Sequence, residues 1–406
     1  MSLYNKKEIL ALAGICDSFY FYDETALLHK ISLLKEGFQN ARFLYSIKAN
    51  HNPALASIIF SQGFGADAAS LKEVLLAHDA GLPKEAILYS APAKTRKDLE
   101  GALGKAIIIA DSLSELEKLQ AICAAKDIVV PIGVRINPDF TLTADHGAAG
   151  KFGIDEEALF AQAGWINSLK NLRIKGIHVH VKSQELDGKL LANYYENVFH
   201  LAMRFEEAFK TSLLFINFGS GIGTTYSPAD KPVSVQALGK TFQLISQRYA
   251  SRFAHARLLI ETGRYITNDC GLYATKVLDK KQSRGKTFVL LKNTLNGCIR
   301  PAMAEMMAQD APSWEPLYTK KDAFEIIALS DSTERETVTL AGNLCTATDV
   351  IATDITLPKL SEGDVIVITH VGSYTAVLSP MQFASQEKPG QYLLRVDKAI
   401  IDVGSC

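Results

Sequence analysis

The chain has 406 residues, with 43 basic against 44 acidic side chains, a net charge of −1, and 48% hydrophobic residues. That balance gives no electrostatic basis for nucleic acid or an anionic membrane as partner, and the length exceeds what one core usually sustains, so two unequal domains are expected. No apolar run reaches spanning length, residues 1–8 lack the apolar stretch of a signal peptide, and Cys16, Cys123, Cys270, Cys298, Cys345 and Cys406 form no CxxC and no ligand spacing with histidine. The expectation is a cytoplasmic globular protein with no disulfide framework and no metal.

Along the chain, 18–22 is strand-like, and then short apolar or β-branched runs recur at 41–47, 64–67, 86–90, 106–111, 128–136, 174–181, 213–218 and 257–261. The stretches between them have helical apolar spacing, as in 70–78 and 112–119, the latter with a serine at its cap. Eight strands alternating with helices predict an α/β fold, a closed (β/α)8 TIM-type barrel. An open doubly wound sheet is the alternative, but no GxGxxG follows the first strand. After about residue 270 strand-like runs at 288–291, 323–329, 338–341, 365–370 and 392–396 are joined by short turns, which predicts a mostly antiparallel β-domain. If 18–22 pairs with it, that domain is discontinuous. The expected division is a barrel over 24–270 and a β-domain from 1–23 with 271–406.

Barrel enzymes build their sites at the carboxyl ends of the strands. Standing there are Lys48, Asp67, Arg135, His180, the loop Gly219-Ser220-Gly221-Ile222-Gly223, and Glu261 with Arg264. A glycine-rich loop opening a helix offers backbone N–H groups to a phosphate. A partly desolvated lysine can bind an aldehyde, a carboxylate can keep a pyridine nitrogen protonated, and an imidazole can stack on a flat ring. Together they describe a site for pyridoxal 5'-phosphate.

Motifs in the same order carry the point further: Tyr45-Ser46-Ile47-Lys48-Ala49-Asn50, Gly65-Ala66-Asp67-Ala68-Ala69-Ser70 with Glu73, Arg135-Ile136-Asn137-Pro138, Lys151-Phe152-Gly153, His178 to Gln184, Asn217 to Gly221, Glu261 to Tyr265, Arg300-Pro301, Cys345 with Asp349, and Gly372-Ser373-Tyr374. Over nearly its whole length the chain resembles the fold-type III pyridoxal-phosphate decarboxylases, which include diaminopimelate, ornithine and arginine decarboxylases. The resemblance implies that Lys48 binds the cofactor aldehyde covalently, Glu261 pairs with the pyridine nitrogen, and His180 stacks on the ring. It implies that Ser183, Gly219, Ser220, Gly221, Arg264 and Tyr374 surround the phosphate, that Gly263 belongs to the cofactor-binding set, and that Asp67 and Arg135 orient the cofactor. It places Arg300, Thr346, Asp349 and Tyr374 at the substrate. Cys345 would arrive from a second subunit as the acid that protonates the carbanion, so a homodimer with shared sites is implied.

Plainer readings compete. His178 reads as structural, Gly221 and Gly223 as turn relief, Glu261 as an ion-pair partner of Arg264, and the remaining cysteines as small core residues. Departures from the family bear on the substrate. Free diamino-acid decarboxylases resembling this chain place an acid after the catalytic cysteine, where this chain has Thr346, and leaving a distal ammonium unpaired would cost several kcal/mol. Lys182 replaces the usual glycine and adds a positive charge. Cys345-Thr346 with Asp349-Val350 resembles the siderophore branch acting on citryl-ornithine or citryl-diaminopropionate. A small N-acylated diamino acid is therefore the expected substrate. The alternatives are a diaminopimelate decarboxylase, an alanine-racemase-type enzyme, which would hold the ring nitrogen with arginine, and a non-catalytic binding homologue. The segment 302–318 is expected to help wall the substrate pocket.

Overall fold

A computed structural model of the chain describes residues 5–307 and 323–404; most of the 302–318 segment, and Cys406, lie outside them. The chain divides into two compact units, one of Ile31–Thr224 with Pro232–Gly263, the other of Met1–Lys30, Thr225–Lys231 and Arg264–Cys406. No helix among the described residues is long and apolar enough to cross a membrane.

The first unit is the barrel. Its strands are Arg42–Ser46, Gly65–Ala68, Ile87–Ser90, Ile107–Ala110, Val130–Asn137, Leu172–Val179, Phe215–Asn217 and Arg257–Thr262. Each pairs in parallel with the next, and Leu259 opposite Arg42 closes the ring. A two-residue strand, Ile154–Asp155, adds to the fifth. The eight expected runs are all strands, shifted by one or two residues at their ends. The intervening helices start where short polar side chains satisfy their first amides: Asn52 caps Pro53–Ser61, Ser70 caps Leu71–Asp79 and Ser112 caps Leu113–Ala125.

Strand side chains alternate between the barrel interior and the helix layer, so interior residues stack in layers two positions apart. Leu44, Leu88, Ile107, Ile109, Phe215 and Leu259 form a buried apolar floor. The Phe215 ring fills the space of two missing side chains: a Cβ on Gly176 would lie 2.0 Å from its Cζ, and one on Gly133 2.9 Å from it. Two residues further along the same strands, the interior changes from apolar to polar.

The second unit is a mostly antiparallel sheet. Its central strands are Gly271–Ser283 and Ser18–Asp23, paired antiparallel. Gly390–Leu394 flanks Ser18–Asp23 in parallel, and Lys286–Leu291, Arg335–Gly342 and Val350–Pro358 continue from the other side. Val365–Ile368 pairs with both Gly271–Ser283 and Ile326–Leu329. The core of this unit joins Phe19 and Phe21 to Leu272, Ala274, Val365 and Val367, so the N-terminal strand is a central part of the sheet. The loop Thr225–Lys231 also counts with this unit, which the sequence reading did not anticipate.

Candidate active site

The polar layer of the barrel stands two residues beyond its apolar floor. Leu44 is followed by Ser46, Gly65 by Asp67, Leu88 by Ser90, Gly133 by Arg135, Gly176 by His178, Phe215 by Asn217 and Leu259 by Glu261. Register aligns Arg135 with His178 and His178 with Asn217 across three adjacent strands.

Lys48 lies in the short 3-10 turn Ile47–Ala49 that ends the first strand. Its Nζ is 2.5 Å from Asp67 Oδ2, and its side chain is 40% exposed while that of Asp67 is 0% exposed. Ser46 Oγ donates to the same Asp67 oxygen at 3.0 Å, and Ser90 Oγ donates to the other. Asp67 therefore grips the lysine directly. Beside it, Glu73 accepts from the Ala69 amide at 2.7 Å. Burial first, with the Asp67 charge adding, raises its carboxyl to about 7 despite the Ala69 hydrogen bond and Lys48.

Glu261 is buried at the end of the eighth strand. Its Oε1 accepts from Asn217 Nδ2 at 2.8 Å and lies 3.1 Å from His178 Nε2, an ion-pair distance off the direction of a good hydrogen bond. Burial pushes this carboxyl up, but His178, then Lys48 and His180, outweigh it and hold the group well below the usual carboxylate range. His178, read from sequence as structural, is thus the neighbour that keeps Glu261 ionised. Alternation along the sixth strand puts it on the interior face, and only strand register sets it against Glu261.

His180 follows the end of that strand. Its Nδ1 accepts from the Ser220 amide at 3.1 Å, which leaves the ring proton on Nε2, 3.2 Å from Ser183 Oγ. Burial, the largest influence, lowers its pKa to about 3, so the ring is neutral at physiological pH. Gly219 adopts φ +63, and a Cβ there would meet Val179 O at 2.4 Å, so the turn needs glycine. The Gly219 amide donates to Asn217 Oδ1 at 2.9 Å. Of the three loop amides expected at a phosphate, those of Gly219 and Ser220 are thus committed to holding Asn217 and His180. The Gly221 and Ile222 amides have no acceptor among the described residues. Tyr194 Oη, 2.9 Å from both Val179 O and Phe218 O, straps the two strand ends together.

Arg135, 3.9 Å from Asp111 Oδ1, lies over the Phe152 ring. Asp111 also accepts from the Gly153 amide at 3.1 Å. Beneath them Lys94 and Glu115 form a buried ion pair at 2.9 Å.

In the other unit, Arg264 Nη1 donates to Tyr226 Oη at 2.9 Å and the guanidinium lies over the Tyr374 ring at 4.5 Å. Arg300 is fully buried in the helix Ile299–Met307 and donates to the same phenol oxygen at 3.2 Å. Cys345 is exposed on the loop between Arg335–Gly342 and Val350–Pro358, and half-buried Thr346 lies 2.9 Å, hydroxyl to hydroxyl, from Thr348. Asp349 is buried: Oδ1 accepts from Thr294 Oγ1 and the Leu295 amide, and Oδ2 accepts from the Leu344 amide. Its carboxylate pins the loop that carries Cys345 and Thr346. His178, Asn217, Ser90 and Tyr226 are the residues that sequence reasoning missed. Asn217 and Tyr226 are polar residues flanking the glycine loop, a signal the motif contained.

A carboxylate kept ionised in a buried pocket is what a protonated ring nitrogen needs opposite it, and amides without acceptors at a glycine turn suit a phosphate. With a lysine at the barrel mouth, these groups fit pyridoxal 5'-phosphate and define a pyridoxal enzyme of the (β/α)8-barrel class. The family described as "Pyridoxal-dependent decarboxylase, pyridoxal binding domain" matches residues 25–268, and the chain belongs to it. It is 30% identical over 400 residues to the L-glutamyl-[BtrI acyl-carrier protein] decarboxylase of Niallia circulans, covering 96% of this chain and 92% of the relative. To the diaminopimelate decarboxylase of Archaeoglobus fulgidus it is 30% identical over 385 residues, covering 93% and 88%. The structure of diaminopimelate decarboxylase from Helicobacter pylori complexed with L-lysine matches with a TM-score of 0.81 at 25% identity, covering 95% of this chain and 93% of that one. The protein is a pyridoxal-phosphate-dependent amino acid decarboxylase.

Proposed function

We propose that the substrate is an N-acylated diamino acid, in particular a citryl conjugate such as citryl-ornithine or citryl-diaminopropionate destined for a siderophore, and that the reaction runs in the cytoplasm. The observation that carries the reading is Thr346. It stands beside exposed Cys345 with only a hydroxyl to offer, and nearby Asp349 is spent on its own loop. That arrangement supplies no negative charge for a free distal ammonium, whose burial unpaired would cost several kcal/mol. Lys182 adds a cation two residues beyond His180, 2.9 Å from Glu185. A relative whose name gives an amino acid carried on a protein as its substrate, the L-glutamyl-[BtrI acyl-carrier protein] decarboxylase, is among the similar proteins.

Bound in the barrel, pyridoxal phosphate supplies the electron sink for the bond broken at the substrate α-carbon. Lys48 would hold the cofactor aldehyde until the substrate amine replaces it, with Asp67 keeping Nζ in place. Glu261 would hold a proton on the ring nitrogen, and neutral His180 would lie against the ring face. Gly221 and Ile222 would give their amides to the phosphate, joined on the strength of resemblance alone by Ser183, Arg264 and Tyr374. We further propose a homodimer in which residues 271–406 of one subunit bring Cys345 Sγ to the other's barrel to protonate the product carbon. Several similar proteins are diaminopimelate decarboxylases, so that activity is the second reading. Decarboxylation assays on citryl-ornithine, citryl-diaminopropionate, meso-diaminopimelate and ornithine decide between them. Preferential turnover of a conjugate is expected, and preferential turnover of either free diamino acid would overturn the proposal.

A further inference from the structure

Within the β-containing unit, Tyr226 occupies an unusual position. Its phenol oxygen accepts from Arg264 Nη1 at 2.9 Å and from Arg300 Nη1 at 3.2 Å. The Arg264 and Arg300 guanidiniums also lie 5.9 and 5.1 Å from its ring centroid. A neutral phenol has two lone pairs and one proton. Two cationic donors on one phenol oxygen favour its ionised form over its neutral one. Among the described residues, further titratable groups lie nearby. The His370 ring, hydrogen-bonded to Asp269 at 3.2 Å, has its centroid 6.1 Å away. Asp230 is turned to the Tyr226 and Ser227 backbone amides at 3.0 Å each. Phe324 and Ser373 also border it. Burial raises this phenol, yet Arg300 and Arg264 outweigh burial and bring its pKa below the ordinary value.

We propose that Tyr226 is a positioning residue whose phenolate oxygen ties Arg264 and Arg300 into one rigid cationic pair, fixing the spacing at which the protein receives two anionic groups. The inference rests on the reading that Arg264 serves the cofactor phosphate and that Arg300 stands at the substrate, where it would meet one of the carboxylates of a citryl conjugate. Tyr226 belongs to the loop Thr225–Lys231, which departs from the barrel after the glycine turn and counts with the other unit. Loss of the phenolate by protonation removes one acceptor and loosens the pair, so the effect is present above the Tyr226 pKa and is lost as pH falls through it.

The test begins without cofactor or substrate. In a spectrophotometric titration of the cofactor-free protein at the tyrosinate band, the wild type minus Tyr226→Phe difference should show one tyrosine ionising below the ~10 of free tyrosine. In the loaded enzyme, Tyr226→Phe should raise KM for the carboxylate-bearing substrate about tenfold, as expected for losing one charge-assisted hydrogen bond. It should leave kcat within about threefold and erase the matching limb of the kcat/KM profile. Should Tyr226→Phe fail to fold, 3-fluorotyrosine at this position keeps every contact and should shift titration and profile down together. Ionisation of Tyr226 with the ordinary tyrosines, or a KM and pH profile unaffected by either replacement, would overturn the proposal. A low-pKa phenol in a protein that turns over only free diamino acids would instead sink the substrate reading and leave this one standing.

Discussion

Removing one member of the Lys94–Glu115 pair should damage the barrel more than removing both. The two side chains are 0% and 3% exposed, with Nζ and Oε1 2.9 Å apart, a distance at which unit charges attract by about 6 kcal/mol at an effective dielectric near 20. Desolvation of both ions offsets most of that attraction, so the intact pair contributes little net stability. Its burial is visible in both partners, since burial is the main influence raising the Glu115 carboxyl and lowering the Lys94 amine. Lys94→Met leaves Glu115 buried with only the Asp111 amide, at 2.7 Å, as donor, and should cost about 3–5 kcal/mol. Glu115→Gln should fall near the lower end, because Lys94 keeps the carbonyls of Ala91 and Ile109 at 2.6 and 2.8 Å. The double variant Lys94→Met/Glu115→Leu should be milder than Lys94→Met. Urea unfolding of the cofactor-free protein, followed by circular dichroism, measures all three. Single variants within about 1 kcal/mol of wild type, or a double variant no milder than Lys94→Met, would refute the reasoning.

Asp67→Asn keeps the shape but loses the charge that receives Lys48, Ser46 and Ser90, and should lower stability by about 2–3 kcal/mol, read as a drop in thermal midpoint; an unchanged midpoint counts against Asp67 as the anchor. Glu261→Gln should reduce kcat by about 100-fold, equivalent to about 2.7 kcal/mol, while His178 and Asn217 hold the amide in place; a rate within threefold of wild type would remove Glu261 from the reaction. Glu73 has a folded pKa raised to about 7 from 4.5, so the stability gained from its protonated form is full below pH 4.5 and is lost as pH rises through about 7. Glu73→Gln should abolish that decline, of about 1–3 kcal/mol, in denaturation midpoints taken from pH 4 to 8. For His180, lowered from 6.5 to about 3, the sign is opposite: stability is full above about 6.5 and falls as the solution is acidified toward 3, a fall that His180→Asn should flatten.

The eight barrel strands were legible because a parallel strand buried on both faces reads as a short, largely apolar run between stretches of helical spacing. Lys48, Asp67, His180 and Glu261 were legible because each ends such a run. The second sheet was harder to read. Gly271–Ser283 runs from a buried half into an exposed, lysine-rich half, and Val350–Pro358 mixes buried and exposed positions without strict alternation across a register shift. His178 and Asn217 stood inside motifs without a role of their own, because their meaning depends on the register of neighbouring strands.

The order of residues along this chain determined its periodicities, and with them a barrel, a lysine at the end of its first strand and a glycine turn after its seventh. Those follow from local rules, since alternation and helix spacing act over a few neighbours. Tertiary structure alone decided which polar side chains meet: His178 with Asn217 beside Glu261, Lys48 on Asp67, and Tyr226 between Arg264 and Arg300. Such meetings depend on register between strands and on where a loop such as Thr225–Lys231 packs. Closing the whole ring around one apolar floor sets them, and no short stretch of sequence contains that information.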